Sequence, residues 1–371
     1  MQANNDRVVV IGGGIQGCAA AYFLAKRGAS VKLIEKDYIA RHASGVNAGG
    51  VRRLGRDLAE IPLSLAAMDI WQNLHEEIGE AGEAFHPCFY IKVAIDEEGR
   101  EFGLRRSDTL TKAGFSHEVW LEKSDIHERL PHLSISTYGG LLVEGDGWAV
   151  PWRIVNGFSK AARQYGAEII EGCRVISLTN KNECWQVWTE QGLFEVDYIV
   201  NCAGAWAAEL ASQSGEPVMP LSAFAPMLAV TDKRAPILPA VFGVLGHTLS
   251  LKQLDTGQFI IGGGVRAEAN PERNRGEVAL FKLAPSMQLA STLFSDILNA
   301  PVIRCWSGIE GYMPDNLPVI GHGTQAGLIH GFGFSAHGFQ LGPAVGEALA
   351  DLVMGYQPRV SLEAFHPNRF A

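Results

Sequence analysis

Two rhythms of apolar positions run along the chain. Residues 8–11 (VVVI) are an unbroken β-branched run, as in a strand covered on both faces. Ile15, Cys18, Ala19, Tyr22 and Ala25 then recur at helical spacing, and Gly28 closes that helix. A second apolar run, 31–34, delivers Glu35 at its carboxyl end. Residues 36–53 follow neither rhythm. They are too rich in glycine and small residues for a helix and too long for a turn, which predicts a loop that presses against a ligand. A helix is predicted over 58–78, with Leu58, Ile61, Leu65, Met68, Ile70 and Trp71 roughly on one side.

Beyond residue 85 the texture turns to strands. The pattern predicts strands at 89–95 and 140–143, a turn at 96–99, short helices at 102–113 and 124–130, and an amphipathic helix at 154–165. A hairpin is predicted from 184–189 and 193–196, turning at Gln191-Gly192. Strands at 198–200, 227–230, 248–253, 259–262, 302–306 and 328–330 follow, with helices at 280–298 and 339–354. This order implies an α/β protein. A Rossmann-like nucleotide-binding domain is assembled from 1–84, 145–216 and 308–371, and 85–144 with 217–307 form an α+β domain whose sheet is mostly antiparallel.

Composition narrows the function. At 371 residues the chain exceeds one compact core. A formal charge of −9 provides no basic field for nucleic acid or an anionic membrane. No apolar stretch reaches the roughly 18 residues needed for a transmembrane span. Residues 1–6 are polar and the first strand follows at once, so a cytoplasmic location is expected. The six cysteines form no C-x-x-C, and no metal site is expected.

The chemistry concentrates in glycine. Gly12-Gly13-Gly14-Ile15-Gln16-Gly17 is a G-x-G-x-x-G between a buried strand and a helix. Gly12 makes the tight turn, Gly14 lets the backbone approach a pyrophosphate, and Gly17 lets helix and strand pack closely. The helix start offers unpaired N–H groups to phosphate, and Glu35 can accept hydrogen bonds from the ribose hydroxyls. Three more glycine-rich breaks follow strands, at 43–50, 203–204 and 331–338, where an open α/β sheet binds its ligands. The last precedes a helix, whose start can face the negative charge of a reduced flavin.

With these segments the sequence resembles the FAD-dependent D-amino-acid oxidase, glycine oxidase and sarcosine oxidase superfamily over nearly its whole length. The resemblance is carried by 8–36, by ASGVNAGGVRR (43–53), by IVNCAGAWA (199–207), by WSGIEGYMPDNLPVIG (306–321) and by GFGFSAHGFQLGPAVGEALADLV (331–353). In motif it is most similar to the flavin (β) subunits of opine oxidases and D-hydroxyproline dehydrogenases, which work beside an electron-transfer partner. The resemblance implies that FAD is held by Gly12, Gly14, Ile15, Gln16 and Gly17, with Glu35 and Lys36 at the ribose and Val175 at the adenine. Ser44, Asn47, Ala48, Gly49 and Gly50 then lie along the pyrophosphate and the isoalloxazine, with Ala203, Gly204 and Trp206 beside them. Gly308, Gly333, Ser335, His337, Gly338, Phe339 and Gln340 close on the flavin. Gly308 stands where related enzymes carry the cysteine that bonds FAD, Cys305 is off register, and non-covalent FAD is implied. Gln340 replaces a lysine of the monomeric sarcosine oxidases, and Glu310 stands where many amino-acid oxidases place an arginine that clamps carboxylate.

The reaction implied is hydride transfer from a C–H beside an amine nitrogen, giving an imine, on a hydroxyproline, proline, opine or sarcosine-like substrate. A substrate carboxylate needs a cation, and Arg52 or Arg53, directly after the flavin-facing loop, supplies it. His337, Tyr312 and Gln340 complete the candidate catalytic set, while Trp306 is expected to line the pocket. Two other functions share the fold: oxidation of a 2-hydroxy acid, and a non-catalytic subunit that holds FAD for electron relay.

Overall fold

The computed structural model describes residues 6–181 and 184–370; the polar residues 1–5 lie outside them. Arg7–Ile11 sits inside a six-stranded sheet, parallel to Ser30–Ile34 on one side and to Tyr198–Asn201 on the other. Glu168–Ile170 extends the sheet past Ser30–Ile34, and Leu328–Phe332 extends it past Tyr198–Asn201. Val319–His322 closes that edge as an antiparallel strand. The chain thus returns twice to its first strand, and the glycine-rich breaks at 12–17, 203–204 and 333–338 meet beside one another.

The helix Ile15–Lys26 packs against the helices Gly338–Val353 and Pro151–Gln164. It is buried from Ile15 to Ala25 rather than on one face, because helices cover it as well as the sheet. Small residues permit that approach: a Cβ on Gly346 would lie 2.4 Å from that of Ala19. Gly28 ends the helix at φ +90°, as its position implied. A Cβ on Gly17 would stand 2.0 Å from the Gly12 carbonyl oxygen. Gly17→Val is therefore expected to cost about 1–3 kcal/mol or more, as overpacking does. Calorimetry would register this as a lower unfolding midpoint, and an unchanged midpoint would show that this contact yields freely.

The second sheet has twelve strands and is antiparallel except where Ala240–Val244 runs parallel to Phe85–Ala94. It recruits Gly50–Val51, which pairs with Gly139–Ala149, and Glu310–Tyr312, which pairs with Ser222–Lys233. Three segments assigned by sequence to the nucleotide-binding domain, at 50–51, 145–149 and 310–312, therefore belong to this sheet. Pairing across the chain decided this, and local pattern does not report it. The hairpin Cys184–Thr189/Gly192–Val196 forms as expected, with Val175–Lys181 as an added third strand.

Other elements depart from the pattern. The helix expected over 58–78 is two helices, Ile61–Gln72 and Leu74–Ile78, broken at Asn73. The one expected over 280–298 stops at Leu293 and gives way to a 3-10 turn, Ser295–Ile297. The turn expected at 96–99 is the start of the helix Glu97–Lys112, where the Asp96 side chain accepts from Gly99 N–H at 2.7 Å. The loop at 36–53 contains a single helical turn, Ala43–Val46, besides its short strand.

Candidate active site

A cleft of about 590 Å³ runs between the two sheets, a size usual for small-molecule and cofactor sites. Its first end is built by the glycine turn. Gly12 adopts φ +109°, and a Cβ there would strike the Cys202 carbonyl oxygen at 2.3 Å. The Glu35 carboxylate accepts from Gly13 N–H at 2.7 Å and from Asp37 N–H at 2.8 Å. Burial pushes this acid up, and the two N–H groups oppose that shift. The helix Ile15–Lys26 has no side-chain cap from Gly14, and Ile15 N–H donates to Ser44 Oγ at 3.0 Å. Gly12, Gly14, Gln16, Glu35, Lys36 and Val175 all line the cleft. Lys36 also bonds Asn274 Oδ1 at 2.6 Å and lies 4.1 Å from the centre of the Trp206 ring. Trp206 donates to the Pro271 carbonyl, so a loop of the large sheet straps down this end.

The second end is framed by two backbone segments. Asn47 Nδ2 donates to the carbonyls of Ala43 and Ser44, and its Oδ1 accepts from Gly49 N–H at 2.7 Å, which sets the turn into Gly50. Trp306 Nε1 donates to the Val46 carbonyl at 2.7 Å, and a Cβ on Gly308 would meet Val46 at 2.3 Å. Opposite, Gly333, Ala336, His337, Gly338 and Phe339 line the cleft before the helix Gly338–Val353. Ser335 and Ala336 both lie in the left-handed region, at φ +50° and +70°, a costly backbone that clusters at functional sites. Gln16 Nε2 donates to the Gly338 carbonyl at 2.7 Å and ties the two helix starts together.

These residues fit a dinucleotide with a flat ring system. Ala48, Gly50, Ala203 and Gly204 line the same cleft, two helix starts open on it, and an acid with aligned donors, Glu35, stands at one end of it. Four residues expected to touch the cofactor act behind the wall instead. Ile15 is fully buried in the core. Gly17 packs on Gly12, while a Cβ on Gly49 would strike the Ala149 carbonyl oxygen at 2.1 Å. Ser335 Oγ accepts from Met313 N–H and donates to the Gly333 carbonyl, which holds the left-handed turn.

The cation question has a geometric answer. Arg52 lines the cleft, its guanidinium bonded to the Leu54 carbonyl. Arg53 is absent from the lining. Its Nε donates to Oδ1 of fully buried Asp146 at 2.7 Å, and another nitrogen donates to the Glu144 carbonyl. Of the two arginines expected to serve, only Arg52 is among the residues that line the cleft, and Arg53 is corrected to an internal ion-pair partner. Gln340 lines the cleft too. Its side chain is buried, accepts from Arg56 at 3.0 Å and from Ser64 Oγ at 2.9 Å, and donates to the Ser64 carbonyl. Tyr312 is buried behind the wall, donating to Glu310 Oε2 at 3.2 Å, and burial raises its phenol.

His337 does face the cleft, with Nδ1 2.7 Å from Glu60 Oε2. Burial pushes the imidazole down to about 4, so at neutral pH it is uncharged. Donation from Nδ1–H to Glu60 then leaves Nε2 as an acceptor. Sequence reasoning missed Lys92, Tyr90, Glu310 and Glu60. Lys92 lines the cleft from the strand Phe85–Ala94, and burial, reinforced by Arg52, pushes it down to about 8. Arg56 joins the same wall, pushed down to about 9 by burial and by Arg52. A charged residue inside the run FYIKVAI was the available signal for Lys92; Glu60 had none.

Fold and site together define a flavin-dependent oxidoreductase. The family model of FAD dependent oxidoreductases (DAO) matches residues 7–352, and the chain belongs to that family. Glycine oxidase of Bacillus subtilis (strain 168) is 26% identical, over 97% of this chain and 96% of its own length. Mitochondrial dimethylglycine dehydrogenase of Rattus norvegicus is 26% identical over 98% of this chain and 44% of its own. Among solved structures, L-proline dehydrogenase from P. horikoshii superposes with a TM-score of 0.90 at 25% identity, covering 99% of this chain and 98% of that one. Glycine oxidase from Geobacillus kaustophilus gives 0.88 at 24% identity over 98% and 99%. This chain is therefore an FAD-dependent enzyme of the amine and amino-acid oxidising kind. Among the described residues no helix is long and apolar enough to cross a membrane.

Proposed function

We propose that this enzyme oxidises the C–N bond of a secondary amine or amino acid of the hydroxyproline, proline, opine or sarcosine type. The observation that carries the reading is the cationic wall of the cleft, where Arg52 turns inward beside Lys92 and Arg56. A guanidinium binds carboxylate in two parallel hydrogen bonds, and the two neighbouring charges keep an anion there. Bound FAD supplies the two-electron acceptor for the hydride. The chain's own residues hold the substrate by its carboxylate, press backbone on either side of the reacting centre at 48–50 and 333–338, and exclude water. Neutral His337, fixed by Glu60, presents an acceptor and adds no charge that would repel the departing hydride's carbon.

The reading extends to FAD held without a covalent bond. Cys305 lies on the strand Val302–Ser307 and is not among the residues lining the cleft. Acid precipitation is expected to leave the yellow colour in the supernatant, and a yellow pellet would overturn this. It also includes a cytoplasmic enzyme whose electrons pass to a partner subunit. Exposed Leu280 and Phe281, the latter 76% accessible, provide an apolar contact for one.

Anaerobic mixing with hydroxyproline, proline, sarcosine, glycine, octopine and 2-hydroxyglutarate tests the reading. Bleaching of the visible flavin band by an amine is the expected result. Bleaching by 2-hydroxyglutarate alone would instead assign hydroxy-acid oxidation. A chain that no compound bleaches, in a complex that turns over, would be an electron-relay subunit.

A further inference from the structure

We propose that Glu310 receives the substrate's amine and selects an amine over a hydroxyl at the reacting carbon. This rests on the reading that an amine is oxidised in this cleft. Glu310 opens the short strand Glu310–Tyr312 and stands in the cleft wall between Ile309 and Gly311. Its Oε1 accepts from Ala336 N–H at 2.9 Å and its Oε2 accepts from the Tyr312 hydroxyl at 3.2 Å. Each oxygen therefore has one donor and keeps acceptor capacity for another. No cation lies within ion-pair distance of this carboxylate among the described residues. Arg266 stacks instead on the rings of Tyr312 and Phe224, at 4.6 and 4.7 Å.

The turn that holds Glu310 also touches the opposite charge. Ala336 donates to Glu310, and the carbonyl of the next residue, His337, accepts from Arg56 at 3.4 Å. The cleft is thus bipolar beside one turn, with Arg52, Arg56 and Lys92 as cations and Glu310 as an acid. Of the other acids in the wall, Glu35 is occupied by the N–H groups of Gly13 and Asp37, and Glu209 accepts from Gln213 Nε2 at 3.5 Å. A substrate carboxylate is repelled by Glu310 and attracted by Arg52, so a zwitterion enters in one orientation, nitrogen toward Glu310. A hydroxyl in the same place makes only a bond from a neutral donor, about half as strong as one from an ammonium.

The same residue accounts for the uncharged amine that hydride loss requires. The ammonium N–H bond breaks, the proton goes to a Glu310 oxygen, and the electron pair stays on nitrogen. Burial raises this acid to about 7, opposed by the Ala336 N–H, the Tyr312 hydroxyl and the charge of Arg266. Proton exchange with an ammonium is accessible from that position.

A matched ligand set that cannot be oxidised tests the proposal: 2-aminoisobutyrate, 2-hydroxyisobutyrate and pivalate, titrated into the FAD-loaded enzyme by calorimetry and by the flavin spectrum. The wild type is expected to prefer the amino over the hydroxy compound by about tenfold or more at pH 8. As Glu310 ionises, that ratio should rise from pH 6 to pH 8. Titration of Lys92 affects all three carboxylates alike and cancels in the ratio. Glu310→Gln should bring the ratio to about one and flatten its pH dependence, with pivalate affinity held within about twofold. Tyr312→Phe, which removes a donor to the carboxylate, should move the pH limb upward and keeps the test valid where Glu310→Gln does not fold. Equal weakening of all three ligands, no amine preference in the wild type, or an unmoved limb in Tyr312→Phe overturns the proposal. These failures leave the amine reading intact whenever an amine still bleaches the flavin.

Discussion

Arg52→Ala should raise the substrate concentration for half-saturation by about 10- to 100-fold while the FAD content per chain stays at the wild-type level. A hydrogen bond to a charged group contributes about 1.5–3 kcal/mol, and each 1.4 kcal/mol is a factor of ten. Arg52 is the guanidinium of the 52–53 pair that lines the cleft. Its one structural bond, to the Leu54 carbonyl, is local, so truncation leaves the fold in place. Arg53→Ala provides the contrast. Arg53 neutralises Asp146, which is fully buried and accepts from two backbone N–H groups besides. Losing that partner strands a carboxylate in the interior, so Arg53→Ala should lower the unfolding midpoint and leave the KM of surviving enzyme near wild type. Steady-state kinetics and calorimetry on both variants separate the roles. Unchanged kinetics in Arg52→Ala would remove it from the site.

Gly14→Val should give a folded protein without FAD. Gly14 has φ −78° and ψ −179°, an extended backbone open to any residue. The atom nearest to an added Cβ is the Ser44 hydroxyl, at 3.0 Å, the tip of a small side chain. The fold therefore tolerates the change. The cleft does not, because Gly14 lines it at the start of the helix, where a pyrophosphate must approach the backbone. Near-native circular dichroism with loss of the yellow chromophore is the expected outcome. A fully flavinylated Gly14→Val protein would remove the glycine turn as the cofactor anchor. Gly17→Val, three residues later, should fail by the other route, through the backbone collision with Gly12.

The two glycines show where local pattern suffices. A strand, a glycine turn, a helix and an acid-ended second strand lie within thirty residues, so their chemistry could be read without knowing what covers them. Arg52 and Arg53 could not be told apart in this way. Their direction is set by Gly50–Val51 pairing with Gly147 and Trp148, nearly a hundred positions later, and a shift of one residue would exchange them. Gln340 shows what local pattern leaves out. It follows a glycine-rich turn and lines the cleft, while its side-chain amide is held in a buried knot with Arg56 and Ser64. Glu60 gave no signal at all, since an acid near a helix start is ordinary until His337 arrives 2.7 Å away.

By itself, then, the sequence determined the cofactor class, the glycine turn and the acid at the end of the second strand, because each depends on contacts among near neighbours. The tertiary structure decided which arginine enters the cleft, that Lys92 and Glu310 join it, and that Tyr312 stands behind its wall. Those choices belong to strand register and helix rotation across two sheets, quantities that no local stretch of chain contains.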